Sequence, residues 1–158
     1  MAACKLDCNT ILGFLYLLVF QKTFRNLFYW RIRKAKYLIW YWLWPHPCFT
    51  LATDMALGKG MVCIHPFATI VNADSIGPGF MVKNSVTIGY NKSGERPIIG
   101  SNVCVNSNAV IFGKIRIGDN VVIGAGSVVT KDVPDNCVVI GNPAIILKEN
   151  GEYVKREL

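Results

Sequence analysis

The sequence predicts an all-β fold, a parallel β-helix preceded by a short helical leader, and three observations carry that prediction. Aliphatic residues recur every six positions from Ile64 to Val129; glycine or another short residue recurs at fixed places within each phrase; and the aromatic excess gathers in the first 49 residues, where all four tryptophans lie.

The first residue of each phrase reads Ile64, Ile70, Ile76, Val82 and Ile88, then Ile99, Val105, Ile111, Ile117, Ile123 and Val129. Short or small residues follow four places later at Ala68, Val86, Val103, Ala109, Val121 and Ser127. A period of six fits neither an α-helix at 3.6 residues per turn nor a lone strand of period two. A coil of three short strands does fit it, with each aliphatic side chain pointing into a prism and stacking on its equivalent one coil away. Between Ile88 and Ile99 the step is eleven residues instead of six, so a polar loop is extruded at residues 90–98, Tyr90 to Pro97 being rich in turn formers.

Ahead of the solenoid, Ile11 to Phe20 is an apolar run of ten, half of what a bilayer span needs. No small-residue cleavage site follows it before Arg25, which argues against a cleaved signal. Arg25, Arg31, Arg33, Lys34 and Lys36 then interleave with Phe24, Leu27, Phe28, Tyr29, Trp30, Tyr37, Leu38 and Trp40, the composition of a segment lying in a lipid interface. A second apolar run, Tyr37 to Trp44, stops at Pro45, and Pro45-His46-Pro47 marks a boundary because proline lacks an amide donor and restricts its neighbour. The resulting organisation is a helical, membrane-interfacial leader at 1–49, a β-helix at 50–147 and a charged tail at 148–158.

Composition narrows the function classes. With 52% hydrophobic and 17% charged residues the chain is not disordered, and its net charge of +7 gathers around the aromatic leader in a pattern that suits a membrane surface and not nucleic acid. Six scattered cysteines without a CxxC pair suit reduced thiols and a cytoplasmic location, on the inner face of the cell membrane, with no metal expected.

The phrase IGDNVVIGAGSVVTKDVPDNCVVIGNPAIILK resembles the terminal coils of bacterial hexapeptide-repeat acetyltransferases, and CIHPFATIVN with NSVTIGYNKSGERPIIGSNV is similar to their serine acetyltransferase branch and its relatives acting on surface polysaccharides. The resemblance implies a left-handed winding, where general connection rules favour the right-handed one. It also implies a homotrimer with active sites between subunits, and acetyl-CoA as donor.

Acetyl transfer to a hydroxyl needs a base that works near neutral pH, and histidine is the natural one. Of His46 and His65, the latter falls where the family's catalytic histidine falls. No serine or cysteine stands in a nucleophile motif, so attack is expected to be direct. The position matching the family's aspartate partner lies near Thr50, leaving Asp54 and Asp74 as candidate partners of His65. Where serine acetyltransferases carry Arg-His-Pro this chain has Glu95-Arg96-Pro97, and Ile64 replaces the acid beside their histidine. These departures favour a sugar hydroxyl of a surface polysaccharide or its precursor, with Asn84 and Arg96 as acceptor-binding candidates. By the same resemblance Ser107, Ala125, Thr130, Lys131 and Lys148 line the coenzyme slot, with Ile145 at a family arginine position and Lys155 and Arg156 as further cations. A serine O-acetyltransferase of cysteine biosynthesis and a non-catalytic membrane-tethered scaffold are the alternatives. A three-histidine zinc enzyme is disfavoured, because the single histidine of the repeat region cannot assemble such a site without unusual ligands.

Overall fold

The computed structural model describes residues 11–32, 48–91 and 94–158. The chain divides into two compact units, Met1–Pro47 and Cys48–Leu158.

In the first unit, α1 (Ile11–Phe20) and α2 (Lys22–Ile32) form a helical hairpin. Phe14 of α1 meets Phe24 and Phe28 of α2 edge to face at 5.9 and 5.4 Å, the geometry that ring quadrupoles favour. The apolar run Ile11 to Phe20 is thus one helix, and the basic-aromatic stretch as far as Ile32 forms the second, its remainder from Arg33 to Trp40 lying outside the described residues. His46, Pro45 and the run Tyr37 to Trp44 lie outside the described residues.

The second unit is a stack of three-strand coils. The first coil holds β1 (Phe49–Leu51), β2 (Ala56–Leu57) and β3 (Val62–Cys63); the second β4 (Thr69–Val71), β5 (Ser75–Ile76) and β6 (Met81–Val82); the third β7 (Thr87–Gly89), β8 (Ile98–Ile99) and β9 (Cys104–Val105); the fourth β10 (Val110–Phe112), β11 (Arg116–Ile117) and β12 (Val122–Ile123). A last turn carries β13 (Val128–Val129) and β14 (Cys137–Ile140), followed by β15 (Ile145–Glu149) and β16 (Glu152–Glu157). Each strand pairs in parallel with its equivalent one coil away, which gives three faces: β1-β4-β7-β10-β13, β2-β5-β8-β11, and β3-β6-β9-β12-β14.

The core is the aliphatic column read from the sequence, with one slip. Ile76, Val82, Ile88, Ile99, Val105, Ile111, Ile117, Ile123 and Val129 are buried. Ile70, however, is 49% exposed, and Val71, fully buried, takes its place opposite Ile88. Likewise Cys63, not Ile64, stacks on Val82. Eight positions separate Cys63 from Val71 where six separate Val82 from Ile88, so His65 and Pro66 are two extra residues at a corner and the inward row runs one place out of phase on either side of them.

Glycine is required where coils touch most closely. A Cβ on Gly77 would stand 2.6 Å from the carbonyl carbon of Gly100, and one on Gly100 would stand 2.8 Å from the carbonyl carbon and oxygen of Gly118. At the next corner Asn102, Asn120 and Asn136 adopt left-handed φ near 55° and are bonded in a ladder, Asn102 Nδ2 to Asn120 Oδ1 at 3.1 Å and Asn120 Nδ2 to Asn136 Oδ1 at 3.0 Å.

The charged tail expected at 148–158 is built instead into β15 and β16, an antiparallel hairpin that continues the third face from β14. Asn150 and Gly151 form its turn, both with positive φ, as the right-handed twist of the flanking strands demands.

Candidate active site

His65 lies two residues after the end of β3, at the corner between the third and first faces. Its φ is 49°, its carbonyl accepts from Phe67 N at 2.6 Å, and the residue is exposed. The bulge is fixed from beneath. Fully buried Thr69 donates its hydroxyl to the carbonyls of Phe67 and Lys83 at 3.2 and 3.1 Å, and Ser85 N reaches Phe67 O at 2.8 Å. The insertion lifts the imidazole out of the stacked column and into solvent, so it does not point into the sealed interior.

The backbone register stacks three other candidates at this same corner. Ile64 N bonds Val82 O, Lys83 N bonds Val105 O, and Asn106 N bonds Ile123 O, which puts Asn84, Ser107 and Ala125 third in phrase on successive coils above His65. Ser107 Oγ donates to Asn84 Oδ1 at 2.7 Å. Asn84 and Ser107 are half-exposed and Ala125 is exposed, so the column presents polar groups outward along one edge of the prism. An imidazole at the foot of such an edge is the side chain able to take and return a proton near neutral pH.

Arg96 and the two acids stand at another corner, between the first and second faces. Arg96 Nε donates to Asp74 Oδ1 at 2.8 Å, and Nη1 donates to both carboxylate oxygens of Asp54 at 2.9 Å and to Asn72 Oδ1 at 3.2 Å. The expectation of Asp54 or Asp74 as the partner of His65 is therefore corrected: both carboxylates are bound to Arg96, and among the described residues no hydrogen bond joins either to the imidazole. Arg96, read as an acceptor contact, uses Nε and Nη1 to pin the end of the extruded loop to the two coils below. Its hydrogen bonds hold the Asp54 carboxyl below the ordinary carboxylate range, and the same bonds raise the guanidinium.

The remaining coenzyme candidates fall in two further places. Thr130 and Lys131 follow β13 and line a cleft of about 150 Å³ with Val128, Pro143, Ala144 and Ile145; Lys131 Nζ donates to Leu158 O at 2.7 Å. Lys148 on β15 holds its ammonium 4.3 Å from the centre of the Tyr153 ring, a cation–π contact that sequence reading missed. Arg156 is paired with Glu149 at 2.9 Å. Burial pushes the Cys63 thiol, next to the bulge, up to about 12, which removes it as a nucleophile at neutral pH. Among the described residues no cluster of His, Cys, Asp and Glu could hold a metal ion.

A triangular prism of parallel coils on a six-residue period, carrying a bulged histidine at one corner, defines the hexapeptide-repeat β-helix class. Residues 96–131 match the family "Bacterial transferase hexapeptide (six repeats)", and these repeats indicate a left-handed β-helix. A serine acetyltransferase of Synechococcus elongatus is 38% identical over 102 residues, which is 62% of this chain and 42% of that protein. The galactoside O-acetyltransferase of Escherichia coli is 35% identical over 123 residues, 68% of this chain and 60% of that one. Among solved structures, serine acetyltransferase from Neisseria gonorrhoeae superposes with a TM-score of 0.70 at 28% identity, over 92% of this chain and 59% of that chain. The serine acetyltransferase of Brucella abortus gives 0.60 at 34% identity, over 63% of this chain and 42% of its own. The chain spans about half the length of the curated relatives it matches.

Proposed function

We propose that this protein is an acetyl-CoA-dependent O-acetyltransferase in which His65 is the general base. The observation that carries the reading is the exposed His65 bulge at the foot of the column Asn84, Ser107 and Ala125. His65 takes the proton of the acceptor hydroxyl as its oxygen attacks the thioester carbonyl. The tetrahedral intermediate then expels the coenzyme thiolate, which recovers the proton from the imidazolium. The Asn84–Ser107 pair and the main chain at Ala125 supply polar groups along the edge where the pantetheine arm would lie, and Lys131 and Lys148 supply cations for phosphate. The column and the Arg96 corner flank opposite edges of the first face, which favours a site completed between neighbouring subunits of a trimer.

A sugar hydroxyl is the acceptor we favour. The galactoside enzyme is the named relative sharing the largest part of its length among those given above, Ile64 offers no charge to an amino group, and Arg96 is bound to Asp54 and Asp74. Free serine is the second reading, supported by the names of the serine acetyltransferase relatives and structures.

The test is thiol release from acetyl-CoA by the purified protein with galactosides, with polysaccharide fragments and with serine. His65→Ala is expected to lower turnover about 10²- to 10⁴-fold while leaving the thermal transition unchanged, because the side chain is exposed. A variant as active as the parent removes His65 from the chemistry. Release with serine alone selects the second reading, and no release with any hydroxyl overturns the activity.

A further inference from the structure

We propose that the α1–α2 hairpin is a monotopic anchor that seats in one leaflet of an anionic phospholipid bilayer, an inference that stands apart from the acetyl-transfer reading. Three observations carry it.

The first is the outward surface of α1. Ile11, Tyr16, Val19 and Phe20 are 80, 38, 44 and 67% exposed, and Leu15 is 47% exposed. At 100° per residue they sweep half the helix circumference, while Gly13 and Leu18 are buried on the opposite side, where Phe14 meets the rings of α2. An arc that wide with no charged residue, and with the Tyr16 hydroxyl as the one polar side-chain group among those named, is unlike the exposed side of a helix facing water.

The second is length. Ten residues at about 1.5 Å rise give an apolar rod of roughly 15 Å, half the ~30 Å hydrocarbon core. Among the described residues no helix is long and apolar enough to cross a membrane, so insertion would stop within one leaflet.

The third is charge. In sequence, residues 8–53 hold six of the chain's 17 basic residues, Lys22, Arg25, Arg31, Arg33, Lys34 and Lys36, and no acidic residue, and of these Lys22, Arg25 and Arg31 lie on α2. Exposed Arg31 closes α2, within 5.9 Å of the Trp30 ring centre. Arg25 is only 6% exposed, its Nη1 reaches the Val19 carbonyl at 3.5 Å, and its Nε has no hydrogen-bond partner among the described residues. Arg25 is thus packed inside the hairpin, and exposed Arg31 at the end of α2 is the guanidinium placed to meet a lipid phosphate at the level of the headgroups. Juxtamembrane cations of this kind add attraction to an anionic leaflet that fades with salt.

All four tryptophans precede residue 50, so tryptophan fluorescence of the intact protein reports on this unit alone. The full chain would be mixed with vesicles of phosphatidylcholine, with and without phosphatidylglycerol, and followed by flotation and by quenching with brominated lipid. The expected result is flotation with the anionic vesicles, weakening as salt is raised, together with a blue shift and quenching by bromine placed shallow in the acyl chain. Leu15→Glu with Val19→Glu should weaken binding tenfold or more, while circular dichroism shows the β-helix transition unchanged. Two results overturn the proposal: a parent chain that stays in the aqueous fraction at low salt, or a double variant that floats as well as the parent. If the variant instead lowers the mass of the soluble assembly by light scattering without any vesicle binding by the parent, α1 contacts another copy and the lipid assignment fails. Because no acetyl-CoA is present, failure here is separate from failure of the proposed activity.

Discussion

Arg96 grips Asp54, forty-two residues before it, through one nitrogen held 2.9 Å from both carboxylate oxygens. Asp74 takes the Nε of the same guanidinium at 2.8 Å, so one side chain ties the end of the extruded loop to two earlier coils.

Arg96→Ala should therefore release the loop without unfolding the prism. Exposed ion pairs contribute little to global stability, and these carboxylates are 67 and 46% exposed. Limited proteolysis is expected to cut several-fold faster between Tyr90 and Pro97 with the thermal transition barely moved. A transition lowered as far as by a core truncation would mean that the clamp holds the fold and not the loop.

Acid should do the same to the parent. The Asp54 carboxyl is depressed by Arg96, so the contact is complete above the ordinary aspartate value of 3.8 and is lost as pH falls through the lower folded value. Protection of the loop amides from hydrogen exchange, relative to their intrinsic rate at each pH, is expected to stay constant from neutrality down to about that value and to fall only below it. Loss of protection already near pH 5 would contradict the assignment.

Ile70 and Val71 separate the observed register from the apparent one. Val71→Ala deletes two methyl groups from a fully buried site and should cost about 2 kcal/mol by chemical denaturation. Ile70→Ala, at 49% exposure, should fall within about 0.5 kcal/mol of the parent. Equal costs would restore the simple six-residue reading.

Gly100→Ala places a methyl group 2.8 Å from the Gly118 carbonyl and against the Asp119 carboxylate. Overpacking against backbone that cannot retreat should cost about 3 kcal/mol or prevent folding. Gly89→Ala, with nothing within 4 Å of its added carbon, is the matched control and should refold like the parent.

From Ile76 to Val129 the period could be read directly, since the first residue of each phrase is an inward aliphatic and the buried column follows it residue for residue. It failed at His65 and Pro66 because Ile64 and Ile70 are themselves six apart and mimic the repeat that the insertion displaces. Only strand pairing distinguishes them, and pairing is a contact between residues far apart in sequence. The final hairpin did leave a local signal. Asn150-Gly151 between two runs of alternating residues is a strong turn signature, hidden by the charge of the strands around it. Of the candidate site, His65, Asn84, Ser107 and Ala125 meet at one corner. The bonding of Arg96 to Asp54 and Asp74 was not foreseeable, because it depends on how an eleven-residue step folds back.

The reversal of direction at β15 bears on how far such a stack can grow. Parallel coils offer the next coil the same open edge that they themselves used, which is an invitation to add units without limit. Here Gly141 O accepts from Val128 N at 2.9 Å, Ala144 N returns to Val128 O at 3.1 Å, and the chain then runs back antiparallel over β14. The top of the column is thereby stoppered by its own chain, which denies a neighbouring molecule the template for end-to-end fibre formation.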